Sequence, residues 1–309
     1  MFAGLIYIPS FILAAILFIM AFNSFYLPMT LKWIGLIPFM IGVGAYIIRG
    51  GINEWWYTNH PPGLVAQEKD ILARFFPYYR KLNIRNKKKF EERLSIFRMQ
   101  KQFQMRLLEK IPGDLQLLIC ATGIQLTMGL EEEKEYLKNL GMVVMFPKEF
   151  ITPDINTQLH HVEVNTDVYD CLLISIDMFA KGIQDVENFY NSGLHGMAKV
   201  FKLQKGYTDD DIPYPDKKEL LVKLHHLRGF KIGYQFIYTG LPNMEIFEMC
   251  TEHFFQCPQA MQKAIPKVYE YFMDIYQQDP ANQTDPAIQS IDDQSSNDDD
   301  DQSNGQKAA

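Results

Sequence analysis

The chain has 309 residues and a formal net charge of −7, and 47% of its residues are hydrophobic. That is enough chain for a sizeable core and one or two domains. Its four cysteines, Cys120, Cys171, Cys250 and Cys257, show no C-x-x-C spacing, which excludes a paired-cysteine zinc ribbon or a C-x-x-C redox motif and fits reduced, buried thiols in a cytoplasm-facing domain.

Residues 1–31 carry no charged side chain, and after Lys32 the next charge is Arg49. The run Phe2 to Phe22 has the length for a bilayer core of about 30 Å. Trp33 to Ile48 spans roughly 24 Å at about 1.5 Å per residue. Lys32 and Arg49 can snorkel from its ends, and Trp33, Trp55 and Trp56 suit an interface. The reading is a transmembrane hairpin over residues 1–50; one span followed by an interfacial segment is the alternative. No basic residue precedes the first apolar run and no small-x-small site follows it, so an uncleaved anchor is expected.

Between Glu68 and Lys110 there are 13 Lys or Arg against 5 Asp or Glu, including the run Lys87-Lys88-Lys89. Basic flanks stay in the cytoplasm, which places both termini there. Anionic lipid attracts such a segment, although a solvated helix face carries the same composition. No recognition motif accompanies the basic residues, so nucleic acid is not expected as a partner.

The periodicities beyond residue 65 predict helices at Ile71–Tyr79 and around Phe90, Leu94 and Phe97, then a buried helix over Gly113–Thr127. Strands are predicted at Met142–Phe146 and Cys171–Ile176. Helices follow over Asp185–Leu203 and Lys217–Leu227, then from an N-cap at Asn243 to Phe255, and last over Lys267–Gln277. The expectation is an α+β domain over 65–278, mostly helical with a small sheet. From Asp279 onward come eight Asp and one Lys and no aromatic; residues 279–309 read as a disordered acidic tail.

Within the predicted 185–203 helix, residues 193–201 read GLHGMAKVF. The sequence from NMEIFEMCTEHFF to FMDIYQQDP resembles the closing block of the Mlc titration factor A family of bacterial zinc peptidases. FPYYRKLNIRNKKKFEERLSIF and MGLEEEKEYLKNLGMVVMFPKEF are similar to its earlier stretches. The resemblance runs from about Phe75 to Pro280 and implies a zincin-like metallopeptidase fold. It also implies an H-E-x-x-H helix whose two histidines, with a glutamate some sixty residues later, hold zinc. In that register His195 takes the place of the first histidine and Glu245 that of the distal glutamate. Gly196 stands where the general-base glutamate belongs, Lys199 where the second histidine belongs, and Lys202 where an Asp often follows.

These departures change the chemistry. An ammonium has no lone pair and repels a metal cation. His195 and Glu245 alone fall short of the three protein ligands of a catalytic zinc site, and Gly196 has no carboxylate to take a proton from bound water. No catalytic residue is therefore expected, and no cofactor. Zinc enters only if the site is rebuilt, with one of His225 and His226 as a replacement ligand, since neighbours on a helix diverge by about 100°. In place of the metal, Lys199 is expected beside Glu245 and Glu252, taken to share a helix face because seven residues return to within about 20°. The function expected is that of a membrane-anchored pseudopeptidase at a bacterial inner membrane, acting as a cytoplasm-facing binding or regulatory module with a protein partner. Some members of the family are implicated in binding a transcriptional regulator. An active, remodelled zinc peptidase is the alternative.

Overall fold

A computed structural model describes residues 2–23, 36–106, 111–130, 137–152, 155–165, 171–230, 237, 239–240 and 245–282. It divides at Pro62 and Gly63 into two compact units, Met1–Pro62 and Gly63–Ala309. Trp33, Asn243 and the acidic tail beyond residue 282 lie outside the described residues.

The first unit holds α1 (Gly4–Asn23), α2 (Leu36–Ile47) and α3 (Arg49–Asn59). Two aromatic pairs, Tyr7–Tyr46 and Phe11–Phe39, join α1 to α2. Gly42 lets Phe11 come close: a Cβ on Gly42 would lie 3.2 Å from the Phe11 ring. The Ala3 amide donates to Asn53 and Phe2 stacks on Trp56, which ties the start of the chain to α3. Among the described residues no single helix is long and apolar enough to cross a membrane. The apolar stretch Gly4–Met20 spans about 25 Å at 1.5 Å per residue. The pair α2 and α3 passes by length and composition only when taken together, and it bends by 70° at its break.

The second unit begins with α4 (Ala66–Phe75), α5 (Pro77–Lys81) and α6 (Ile84–Gln100). Pro77 sits at the first position of α5, where its missing N–H costs nothing. Asn83 caps α6 by accepting from the Asn86 amide. Arg93, counted among the basic residues of the sequence, is buried and donates to the carbonyls of Thr127, Met128 and Leu130, closing the end of α7 (Gly113–Thr127).

The sheet comprises β1 (Gln102–Met105), β2 (Met142–Phe146), β5 (Val162–Asn165) and β6 (Cys171–Ser175), in the order β1–β2–β6–β5. The first three strands in that order run parallel, and β5 is antiparallel to β6. Val143 pairs with Leu172 and Met145 with Ile174, while Val162 and Val164 oppose Ile174 and Leu172 from the other side. All six are buried, so one face of the sheet is continuous with the core. A separate antiparallel pair is formed by β3 (Phe150–Thr152) and β4 (Ile155–His160).

Helices complete the unit: α8 (Ile176–Gln184), α9 (Ser192–Lys205), α10 (Lys217–Leu227), α11 (Ile246–Gln256), α12 (Pro258–Ala264) and α13 (Pro266–Tyr276). The class is α+β and mostly helical, with a small mixed sheet. Helix α9 lies between β5 and β6 on one side and α11 on the other. Three expectations need correction. The helix predicted over Ile71–Tyr79 breaks at Phe76, which takes extended backbone (φ −121°, ψ 91°) before Pro77. The helix predicted from Asp185 starts only at Ser192, because α8 ends at Gln184 and the Arg228 guanidinium holds the carbonyls of Val186 and Phe189 in the intervening loop. The helix predicted from Asn243 starts at Ile246, and Glu245 is its N-cap in extended backbone (φ −95°, ψ 99°).

Candidate functional site

The site grows from α9. Asn191 caps it, accepting from the Leu194 amide at 3.0 Å, and Gly206 ends it in the left-handed region at φ 73°. His195, Lys199 and Lys202 recur at i, i+4 and i+7 and share one face. Gly196 faces the sheet instead. A Cβ built on it would lie 2.5 Å from Leu172 Cδ1 and 2.8 Å from Val162 Cγ2. Gly193 is equally pressed against the Phe179 ring. Both glycines serve close approach of the helix to its neighbours, at a cost in helix propensity of about 1 kcal/mol each.

Opposite the polar face stand Glu245 and Glu248, with Glu163 arriving from β5. His195, fully buried, has both ring nitrogens engaged: Nδ1 lies 2.8 Å from the Tyr190 hydroxyl and Nε2 lies 2.7 Å from Glu245 Oε2. A carboxylate only accepts, so Nε2 carries the proton, and Nδ1 is left to accept the Tyr190 O–H. Burial, then the charges of Glu252, Glu248 and Glu245, push the Tyr190 hydroxyl well above its ordinary range, which keeps it a donor. The Lys199 ammonium takes the other Glu245 oxygen at 2.8 Å and lies 3.6 Å from Glu163. His160, on β4, stands 3.4 Å from the second Glu163 oxygen.

The electrostatics follow from this arrangement. Burial pushes the Glu245 carboxyl up, but the hydrogen bond from His195, then the charge and hydrogen bond of Lys199, bring it down to about 2. For Lys199 burial opposes the charge, and Glu245 and Glu163 more than compensate, so its ammonium is held above the ordinary range. Glu248 behaves in the opposite way: burial first and Glu245 second raise it, although Lys202 lies 3.3 Å away. Lys202 also pairs with Asp209 at 2.6 Å.

Of the residues singled out in the sequence, His195, Lys199 and Glu245 meet, and Gly196 adjoins them with no side chain in the site. Glu252 does not join them. It is fully buried, pairs with Arg228, accepts from the Asn191 amide at 3.1 Å and lies 3.1 Å from His253 Nδ1. The i+7 argument fails because Glu245 precedes the helix, so its side chain does not follow helical spacing from Glu252. His225 Nδ1 donates to Leu221 O, 2.7 Å away, on α10. Tyr190, Glu163, Glu248 and Arg228 were not singled out. Lys202 alone carried a signal, as the next residue on the His195–Lys199 face.

The residues present do not fit a zinc ion. The only nitrogen of His195 that faces Glu245 is a donor, both Glu245 oxygens are taken, and the nearest further group is an ammonium. Among the described residues no three His, Cys, Asp or Glu side chains come together in a way that could hold a metal.

The second unit is nevertheless a metallopeptidase-like domain. The sequence model of the glucose-regulated metallo-peptidase M90 family matches residues 54–221, just over half of the chain. The chain belongs to that family. No curated protein matches it. The family match takes in His195, Gly196 and Lys199 and stops before Glu245 and the closing block.

Proposed function

We propose that the chain is a pseudopeptidase: an M90-family domain kept as a binding or regulatory module rather than as a hydrolase. One observation carries this reading. The Lys199 ammonium, 2.8 Å from Glu245, supplies a positive charge where a metallopeptidase holds its cation. Glu245 then links α9 to α11 through charge-assisted hydrogen bonds from His195 and Lys199. Hydrolysis further needs a base beside the attacking water, and the residue after His195 is a glycine packed on Leu172 and Val162. On this reading the domain uses no zinc, and its occupant is a protein partner.

The anchor belongs to the same proposal. The first unit exposes Leu5, Phe18, Met20, Met40 and Ile47 at 60% or more, and an apolar surface of that kind calls for lipid or a partner. Together with the basic residues after it, this supports attachment to a bacterial inner membrane with the domain in the cytoplasm.

The test is hydrolysis. The purified full chain, in non-ionic detergent, is incubated with an unfolded protein and a mixed peptide library beside its His195→Ala variant. The reading expects no cleavage above that variant. Cleavage that is lost with His195→Ala, and with a chelator, would return the chain to the active peptidases.

A further inference from the structure

A surface formed by α5 and α6 has a chemistry of its own, and the inference from it goes beyond the pseudopeptidase reading. At the corner between α5 and α6, Arg80, Lys81, Arg85 and Lys88 are exposed. None of the four makes an ion pair among the described residues. Lys87 lies over the Tyr79 ring at 5.5 Å. Between them Ile84, the first residue of α6, is 88% exposed. The first turn of α6 has no acidic residue, so its cations stand uncompensated at the positive end of the helix dipole. An anion on this corner would relieve that repulsion.

The chain supplies one. Gln278 accepts from the Tyr78 hydroxyl at 2.6 Å and donates to Gln125 O at 3.0 Å. Asp279 is held by Tyr269 at 2.7 Å, and Pro280 lines the same small cavity as Pro77 and Lys81. The chain therefore leaves the domain beside Lys81. Beyond residue 282 it carries seven Asp, at 285, 292, 293 and 298–301, against the single Lys307. At random-coil dimensions the number of residues from Pro280 corresponds to about 19 Å at Asp292 and about 25 Å at Asp301, a length sufficient for the corner and the first turns of α6.

We propose that the Asp292–Asp301 segment docks on the Arg80–Lys81–Arg85–Lys88 corner and masks it from other polyanions. The contact is intramolecular, so a weak electrostatic attraction is amplified by a high effective concentration. It is also steeply salt-dependent, because both partners are solvated.

Zero-length carbodiimide cross-linking of the full chain in non-ionic detergent, read by mass spectrometry, tests this. Cross-links from Asp292–Asp301 to Lys81, Lys87 and Lys88 should be roughly fivefold more frequent than those to the distant exposed Lys218. They should vanish at about 1 M salt, where the Debye length is about 3 Å, and in a variant with Arg85→Glu and Lys88→Glu. These two side chains are exposed, so the variant should fold; in a second arm untouched by folding of the domain, the Asp298→Asn, Asp299→Asn, Asp300→Asn, Asp301→Asn variant should lose the preference for Lys81, Lys87 and Lys88 over Lys218 at its remaining Asp292 and Asp293. Cross-links spread evenly over the lysines, or unchanged by salt, would overturn the proposal. So would a corner whose lysines are free to acetylation in detergent and protected only by phosphatidylserine vesicles, which would make it a lipid-binding face.

Discussion

The Lys199 ammonium lies 2.8 Å from Glu245 Oε1, while His195 Nε2 holds the other oxygen of the same carboxylate at 2.7 Å. A cation from one helix and an imidazole one turn before it thus close on a single acid from the start of another. On the pseudopeptidase reading proposed above, this is the space that a metal holds in an active relative. Here a side chain of the protein supplies the charge, and the two helices stay together.

Removing that charge should be costly. Lys199→Met keeps the aliphatic stem and leaves Glu245 without its cation. Breaking a fully buried pair costs about 3–5 kcal/mol. Lys199 and Glu245 retain 18% and 21% of their side-chain exposure, so a loss of about 2–3 kcal/mol is expected by this reasoning. Urea denaturation of the full chain measures it. The double variant Lys199→Met with Glu245→Gln should recover most of the loss, because no unpaired charge then remains.

Rebuilding the family's helix should fail at Gly196. Any side chain there meets Leu172 at 2.5 Å and Val162 at 2.8 Å. Overpacking of this kind costs about 1–3 kcal/mol, against a helix-propensity gain of about 1 kcal/mol. Gly196→Ala should therefore lower the urea midpoint, and Gly196→Glu should lower it further by burying a carboxylate at the sheet. A midpoint raised by Gly196→Ala would show that the close approach is not a constraint.

Tyr190→Phe removes the donor to His195 Nδ1 and leaves that buried nitrogen without a partner. The expected cost is about 1–3 kcal/mol. The cost should largely disappear in a His195→Phe background if the hydroxyl acts only through the ring, and a double-mutant cycle reads this directly.

The carboxylates divide by pH. Glu245 and Glu252 are both brought down to about 2 from an ordinary 4.5; at Glu252 burial is opposed and outweighed by Arg228 and then His253. A lowered pKa contributes stability above the unfolded value that is lost as pH falls through the folded one, here from about 4.5 toward about 2. Glu248 is raised, so its contribution runs the other way and is lost as pH rises through its folded value. Glu245→Gln should flatten the acid limb of a stability–pH profile. Glu248→Gln should leave that limb in place and cost nothing at neutral pH, since Lys202 keeps Asp209 at 2.6 Å.

Much of the scaffold was legible in the sequence. The apolar run Gly113–Thr127, the periodic Lys217–Leu227 and the strand Met142–Phe146 appear with those bounds, because burial and periodicity are local properties. The start of α9 was not legible: the residues before it are held by Arg228, which comes from far along the chain. Nor was the partner of Lys199. Spacing suggested both Glu245 and Glu252, yet whether two acids share a helix face depends on where the helix begins. Glu163 carried no signal in the sequence, and only the fold brings β5 beside α9. Gly196 read as a lost base; in the fold it is a contact point with the sheet.

The central claim is that Lys199, rather than a metal, holds the charge beside Glu245. Zinc content and a zinc titration of the purified full chain test it most directly, run beside the His195→Ala variant. The account predicts no zinc bound in a ratio near one per chain that depends on His195. One zinc per chain, retained through purification, removed by a chelator and lost with His195→Ala, would contradict it.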